Sequence, residues 1–139
     1  MKYRKNGSYY QLRLERDEEI IPALEQFVRK LKLKSGIVIG LGAGSELELG
    51  CYDLKTKKYH RRHFPGEYEI CSLVGNIAWS EKDPVLHLHA VISNRRLTTY
   101  SGHLFAGRVA ATCEIAIIPG SEKIQRRLEP DSGLKLLQL

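Results

Sequence analysis

At 139 residues, with 42% hydrophobic and 27% charged side chains, the chain has the size and balance of one globular domain, and no stretch is apolar-poor enough to be disordered. No run approaches the roughly 18 apolar residues that span a bilayer, and MKYRKNGSYYQ lacks the apolar centre of a secretory signal, so a cytoplasmic protein with no membrane partner is expected. The net charge of +6, from 22 Lys and Arg against 16 Asp and Glu, admits a polyanionic partner, while three widely spaced cysteines, Cys51, Cys71 and Cys113, suit reduced core thiols better than a disulfide framework or a CxxC zinc site.

Tyr9 to Leu14 alternate large and polar groups and read as a strand. Asp17 then offers a helix N-cap, with Glu18 and Glu19 in the first turn. Ile20, Ile21, Leu24, Phe27, Val28 and Leu31 recur at helical spacing, and Pro22 is tolerable because it lies in the first turn. From Gly36 the punctuation becomes that of short strands: GIVIGLG, SELELGCYDL, KKYHRRHF, EYEICSLVGNIAW, VLHLHAVIS, LTTYSGHL and RVAATCEIAIIP. The glycines of GLGAGSE, residues 40–46, do not open a helix as a phosphate-cradling loop would, and predict a tight turn between strands. Ser121 to Arg127 predict a short turn of helix, and GLKLLQL a last strand. The fold class expected is α+β, a mainly antiparallel, strongly curved sheet with one main helix near the N-terminus, in a single domain over residues 1–139.

The stretch HLHAVISNRRLTTYSGHL carries three of the five histidines. Side chains alternate across a strand, so Val85, His87, His89 and Val91 share one face while Leu86, Leu88, Ala90 and Ile92 take the core face. If Asn94, Arg95 and Arg96 form a three-residue loop pairing Ser93 with Leu97, His103 lies opposite His87 and all three imidazoles share a face. Such a trio suits a divalent metal, Zn²⁺ first and Ni²⁺, Co²⁺ or Fe²⁺ also, with a fourth position for water, a carboxylate or a neighbouring subunit. Hydrogen-bonded core histidines or a polar surface remain the competing readings. Glu114 and Glu69 are the candidate acids for ligation or proton transfer, and Arg108 a candidate carboxylate holder. His60 and His63, flanking Arg61 and Arg62, read as a solvated basic edge.

The segments SGIVIGLGAGSELELGCYDLKTKKY, EYEICSLVGNIAW, LHLHAVIS, SGHLFAGRVAATCEIAI and SGLKLLQL together resemble the plant and prokaryote conserved (PPC) domain, in family order over nearly the whole chain. That resemblance implies a mainly antiparallel α+β fold and, for stand-alone prokaryotic members, a homotrimer. It also implies a likeness to acetolactate decarboxylase, a zinc enzyme whose ligands are an HxH pair and a later histidine, which falls on His87, His89 and His103. Ser101 stands where the family commonly has glycine, and the chain carries no AT-hook.

Two functions follow as expectations. The first is a trimeric, DNA-binding or regulatory module with a three-histidine metal site, its basic contacts being Lys55, Lys57, Lys58, Arg61 and Arg62. The alternative is a zinc-dependent lyase or hydrolase acting on a small anionic ligand. A structural metal that fixes the trimer is the third possibility.

Overall fold

A computed structural model describes residues 1–139. Eight strands and one helix follow in the order β1 (Lys2–Asn6), β2 (Tyr9–Glu15), α1 (Ile20–Leu31), β3 (Ser35–Asp53), β4 (Lys58–Ser80), β5 (Asp83–Ser93), β6 (Thr99–Gly120), β7 (Gln125–Glu129) and β8 (Leu134–Gln138). All strands belong to one sheet, ordered β1-β2-β6-β3-β4-β7-β8, with β5 paired to both β4 and β6. The ladders β3–β4, β4–β5, β5–β6 and β6–β3 therefore close a ring, which only a strongly bent sheet permits. Every ladder is antiparallel except a single parallel bridge, Trp79 to Gln125. The chain is a mostly β fold carrying one helix rather than a balanced α+β.

Three pairs of expected short strands are single long ones. β3 runs through GLGAGSE without a turn; register shifts between Gly40 and Gly42 and between Ser45 and Leu47 bend it instead. Such bulges turn a strand without ending its pairing, and glycines serve that purpose as readily as they serve a turn. β4 likewise continues through Pro65 and Gly66, and β6 through the junction at Phe105.

The helix begins later than Asp17 suggests. Asp17 sits in a left-handed conformation, its N–H bonds Val109 O, and Val109 N–H bonds Glu18 O, so residues 17–19 are tied to β6 before the helix starts. Glu19 occupies the N-cap without a side-chain cap, and no acid lies in the first turn. At the other end Lys32 adopts a left-handed φ of 52° and its N–H bonds Arg29 O. Ile20, Leu24, Phe27 and Val28 are fully buried on one stripe and join Leu12, Leu14, Leu88, Ile92, Ile115 and Ile117 in a single core. Tyr3 and Tyr10 meet Phe27 edge-on. Of the cysteines only Cys113 is in the core, where burial pushes its thiol up to about 12; Cys51 and Cys71 are exposed. Ser121 to Arg127 holds no helical turn, because its second half is β7. No helix is long and apolar enough to cross a membrane.

One glycine fixes the spacing that the site depends on. Gly75 pairs with Leu88, and a Cβ there would lie 1.9 Å from the His87 carbonyl oxygen and 2.9 Å from the Leu88 Cα, all backbone that cannot swing aside. Gly75→Ala should therefore force β5 off β4 at His87 and cost about 1–3 kcal/mol, read as a lower denaturant midpoint, as overpacking does.

Candidate metal centre

The alternation along β5 is as the sequence predicts: Leu86, Leu88, Ala90 and Ile92 are buried, and His87 and His89 project from the opposite face. The loop to β6 is longer than three residues. Asn94 Oδ1 accepts from the N–H groups of Arg96 and Thr98, Asn94 N–H bonds Thr98 O, and Leu97 takes a positive φ of 60°, so Ser93 pairs with Thr99. His103 consequently faces His89 rather than His87. The displacement is two positions, an even number, so every side chain keeps its face and the trio still meets.

Their ligand atoms all lie within 4.8 Å of one another, and the ring centroids are 5.1, 5.2 and 5.5 Å apart. A tetrahedral zinc with 2.0–2.1 Å bonds wants nitrogens ~3.4 Å apart, so small χ rotations close the set. His103 is steadied from the other side by Tyr59, 5.4 Å between ring centroids, and Phe105, 4.5 Å. Gly102, beside it, makes no bulge in the β5–β6 ladder; its missing Cβ lets β6 approach the Gly50 backbone, whose carbonyl oxygen would be 2.8 Å from that atom.

Two of the three imidazoles, His87 and His103, are favoured in the neutral form. Burial lowers His103 to about 4, aided by the nearby His87, His89, Arg61 and Arg126, and burial followed by Arg126 and His89 lowers His87. Neutral imidazoles are what a divalent metal requires, and His103 Nδ1 is buried with no hydrogen-bond partner. The donor set therefore fits a metal. It contains no carboxylate: Glu69 is exposed opposite Ser93 and Ala43, and Glu114 is exposed opposite Leu41 and Arg13. Arg108 is occupied elsewhere, bonding Asp17 O and Glu19 at the helix entrance.

The basic residues divide. Arg61 lies over Phe105, 3.7 Å from the ring centroid, and near Glu48, while Arg62 stands over Phe64 and Tyr100. Lys55, Lys57 and Lys58 are exposed around the β3–β4 turn, with Lys57 Nζ donating to Pro130 O. His60 and His63 lie near Asp53 and Glu46 on the exposed edge, away from the trio.

Sequence reasoning missed Arg126. Only 9% exposed, it donates through Nη1 to Lys135 O and through Nη2 to Asn76 Oδ1 and His87 Nδ1, the last at 3.1 Å. Its partners lie far away in sequence, and a helical turn predicted across it hid the strand that aims it inward.

The sequence pattern of the Plants and Prokaryotes Conserved (PCC) domain matches residues 1–120. Among solved structures, a candidate DNA-binding protein from Bacteroides thetaiotaomicron is 32% identical, with a TM-score of 0.95 over 99% of this chain and 96% of that one. A candidate DNA-binding protein from Ralstonia eutropha is 27% identical, with a TM-score of 0.93 over 99% and 96% of the two chains. A metal-containing protein from Archaeoglobus fulgidus is 26% identical, with a TM-score of 0.88 over the whole of both chains. No curated protein matches the chain.

The depressed His103 value carries a pH dependence for metal-free protein. An unfolded chain takes up that proton near 6.5 and the folded chain only near 4, so the stability this group confers is intact above 6.5 and is lost as pH falls between them. The melting midpoint of metal-free protein should drop by several degrees over that interval, and His103→Gln should remove that part of the drop.

Proposed function

Because this chain belongs to the Plants and Prokaryotes Conserved domain family, we propose that it is a homotrimeric regulatory module that holds a divalent ion, zinc first, on His87, His89 and His103, and associates with DNA. The observation that carries the reading is the convergence of three imidazoles on one sheet face, two of them, His87 and His103, favoured in the neutral form by burial. The metal-containing relative supports the ion, and the two candidate DNA-binding relatives support the nucleic acid.

Self-association has its own support on that face. Ladder partners place Ala116, Ile39, Val74, His89 and His103 in one row across β6, β3, β4, β5 and back to β6. The adjoining row holds Ile118, Ile37, Asn76 and His87. Ile37, Ile39, Leu41, Val74, Val91 and Ile118 are all exposed, with Ile39 at 49% and Val74 at 46%. A contiguous apolar patch of this kind marks a protein interface, and a second copy of the chain would complete the metal site's open side.

For DNA, the exposed contacts are Lys55, Lys57 and Lys58, with Lys57 also donating to Pro130 O, and Arg61 and Arg62, whose guanidinium groups are held over aromatic rings. A second reading, a zinc enzyme acting on a small anion, draws on the cations Arg61 and Arg126 around the trio and the want of any carboxylate there. A bound metal would polarise a carbonyl or activate water. Glu114 shares the exposed face, beside Leu41, and would reach the trio from a neighbouring copy, as would Glu69.

Untagged protein should contain roughly one zinc per chain by elemental analysis, and His87→Ala, His89→Ala and His103→Ala should each lose most of it. Equal metal in all four proteins would remove the site. Sedimentation should give three times the monomer mass, with Val74→Asp shifting it toward monomer. DNA retention should fall steeply with salt and weaken when Lys55, Lys57 and Lys58 are changed to Gln; salt-independent or absent retention would contradict the DNA role.

A further inference from the structure

We infer that Arg126 and the metal compete for the same imidazole, so that loading the site displaces the guanidinium from His87. The inference rests on the metal reading above and concerns what the ion must overcome.

Arginine only donates hydrogen bonds. The His87 nitrogen that faces Arg126 Nη2 at 3.1 Å must therefore offer its lone pair, which puts the proton of the neutral ring on the other nitrogen. Both nitrogens are then unavailable to a metal. A metal on the nitrogen facing Arg126 needs the lone pair that the guanidinium uses. A metal on the far nitrogen needs the ring proton moved to the near one, where it would point at an Arg126 N–H. In neither case does the hydrogen bond survive ligation by a neutral imidazole.

The guanidinium is built to stay. It is 9% exposed, and its bonds to Asn76 Oδ1 and Lys135 O, both 2.8 Å, hold it from two further directions. Asn76 is the ladder partner of His87, so the acceptor and the imidazole lie side by side on β4 and β5. Arg126 Nε is buried and has no hydrogen-bond partner of its own. Arg126 is thus a positioning residue: it orients His87 in the metal-free protein and weakens metal capture by occupying one of three ligands.

The direct readout is the tautomer of His87, followed by long-range ¹H–¹⁵N correlation spectra. Metal-free wild type should carry the His87 proton on the nitrogen away from Arg126, and zinc should change both that pattern and the Arg126 side-chain N–H signals. Zinc affinity, by competition with a chromophoric chelator, should rise about tenfold or more in Arg126→Met, the scale of a hydrogen bond to a charged group. Arg126→Lys keeps the charge but loses the planar fork, so it should also bind more tightly than wild type.

A metal-free His87 protonated toward Arg126 overturns the inference, and wild type alone decides that if the variants fold poorly. Tighter binding in Arg126→Met with Arg126→Lys equal to wild type also overturns it, because charge repulsion would then be the whole effect. Uptake by Arg126→Met where wild type takes up little supports it. No uptake by either protein sinks the metal reading instead, and leaves the His87 tautomer to decide whether Arg126 occupies the lone pair.

Discussion

The two-residue period of β5 is the constraint from which the rest of the site follows. Because Leu86, Leu88, Ala90 and Ile92 are committed to the core, His87 and His89 have no choice but the outer face, and a slip of one residue would bury both imidazoles and expose the leucines. The core thus enforces the placement of groups it does not contain. The β5–β6 ladder adds His103 opposite His89, and the closed ring of four ladders prevents that register from sliding. Three imidazoles are consequently held near one point by backbone pairing, before any ion contributes energy.

That placement has an electrostatic cost which the surroundings turn to use. Partial burial and the nearby guanidinium groups make protonation of His87 and His103 unfavourable. The same cations disfavour a bare divalent ion, and no carboxylate in the chain's own cluster offsets them. A site of this balance favours an anionic co-ligand or a group from a neighbouring copy at its open side. The exposed apolar rows that border it are where such a neighbour would sit.

Much of this was legible in the sequence, and the reasons for the rest are specific. The face of each β5 residue and the helical stripe of α1 follow from spacing alone, since periodicity reports which side chains share an environment. The loop after Ser93 was misjudged because its length is set by Asn94 folding its own side chain over Arg96 and Thr98, a local bond that spacing does not reveal. The error was harmless to the site because it was even. Glycine punctuation misled at GLGAGSE, where glycines bend one long strand that a turn would have ended. Arg126 was invisible for a different reason: its meaning lies in Asn76, Lys135 and His87, which only tertiary packing assembles. Arg61 and Arg62, read as phosphate contacts, rest on aromatic rings, Phe105 and Tyr100 from β6 and Phe64 from their own strand.

The central claim is that one ion sits among His87, His89 and His103. Diffraction from crystals of zinc-loaded protein, recorded on both sides of the zinc absorption edge, tests it most directly. The account requires an anomalous peak within about 2.0–2.1 Å of one nitrogen from each of the three rings. A peak elsewhere, or fully ordered rings with no peak between them at saturating zinc, would contradict it.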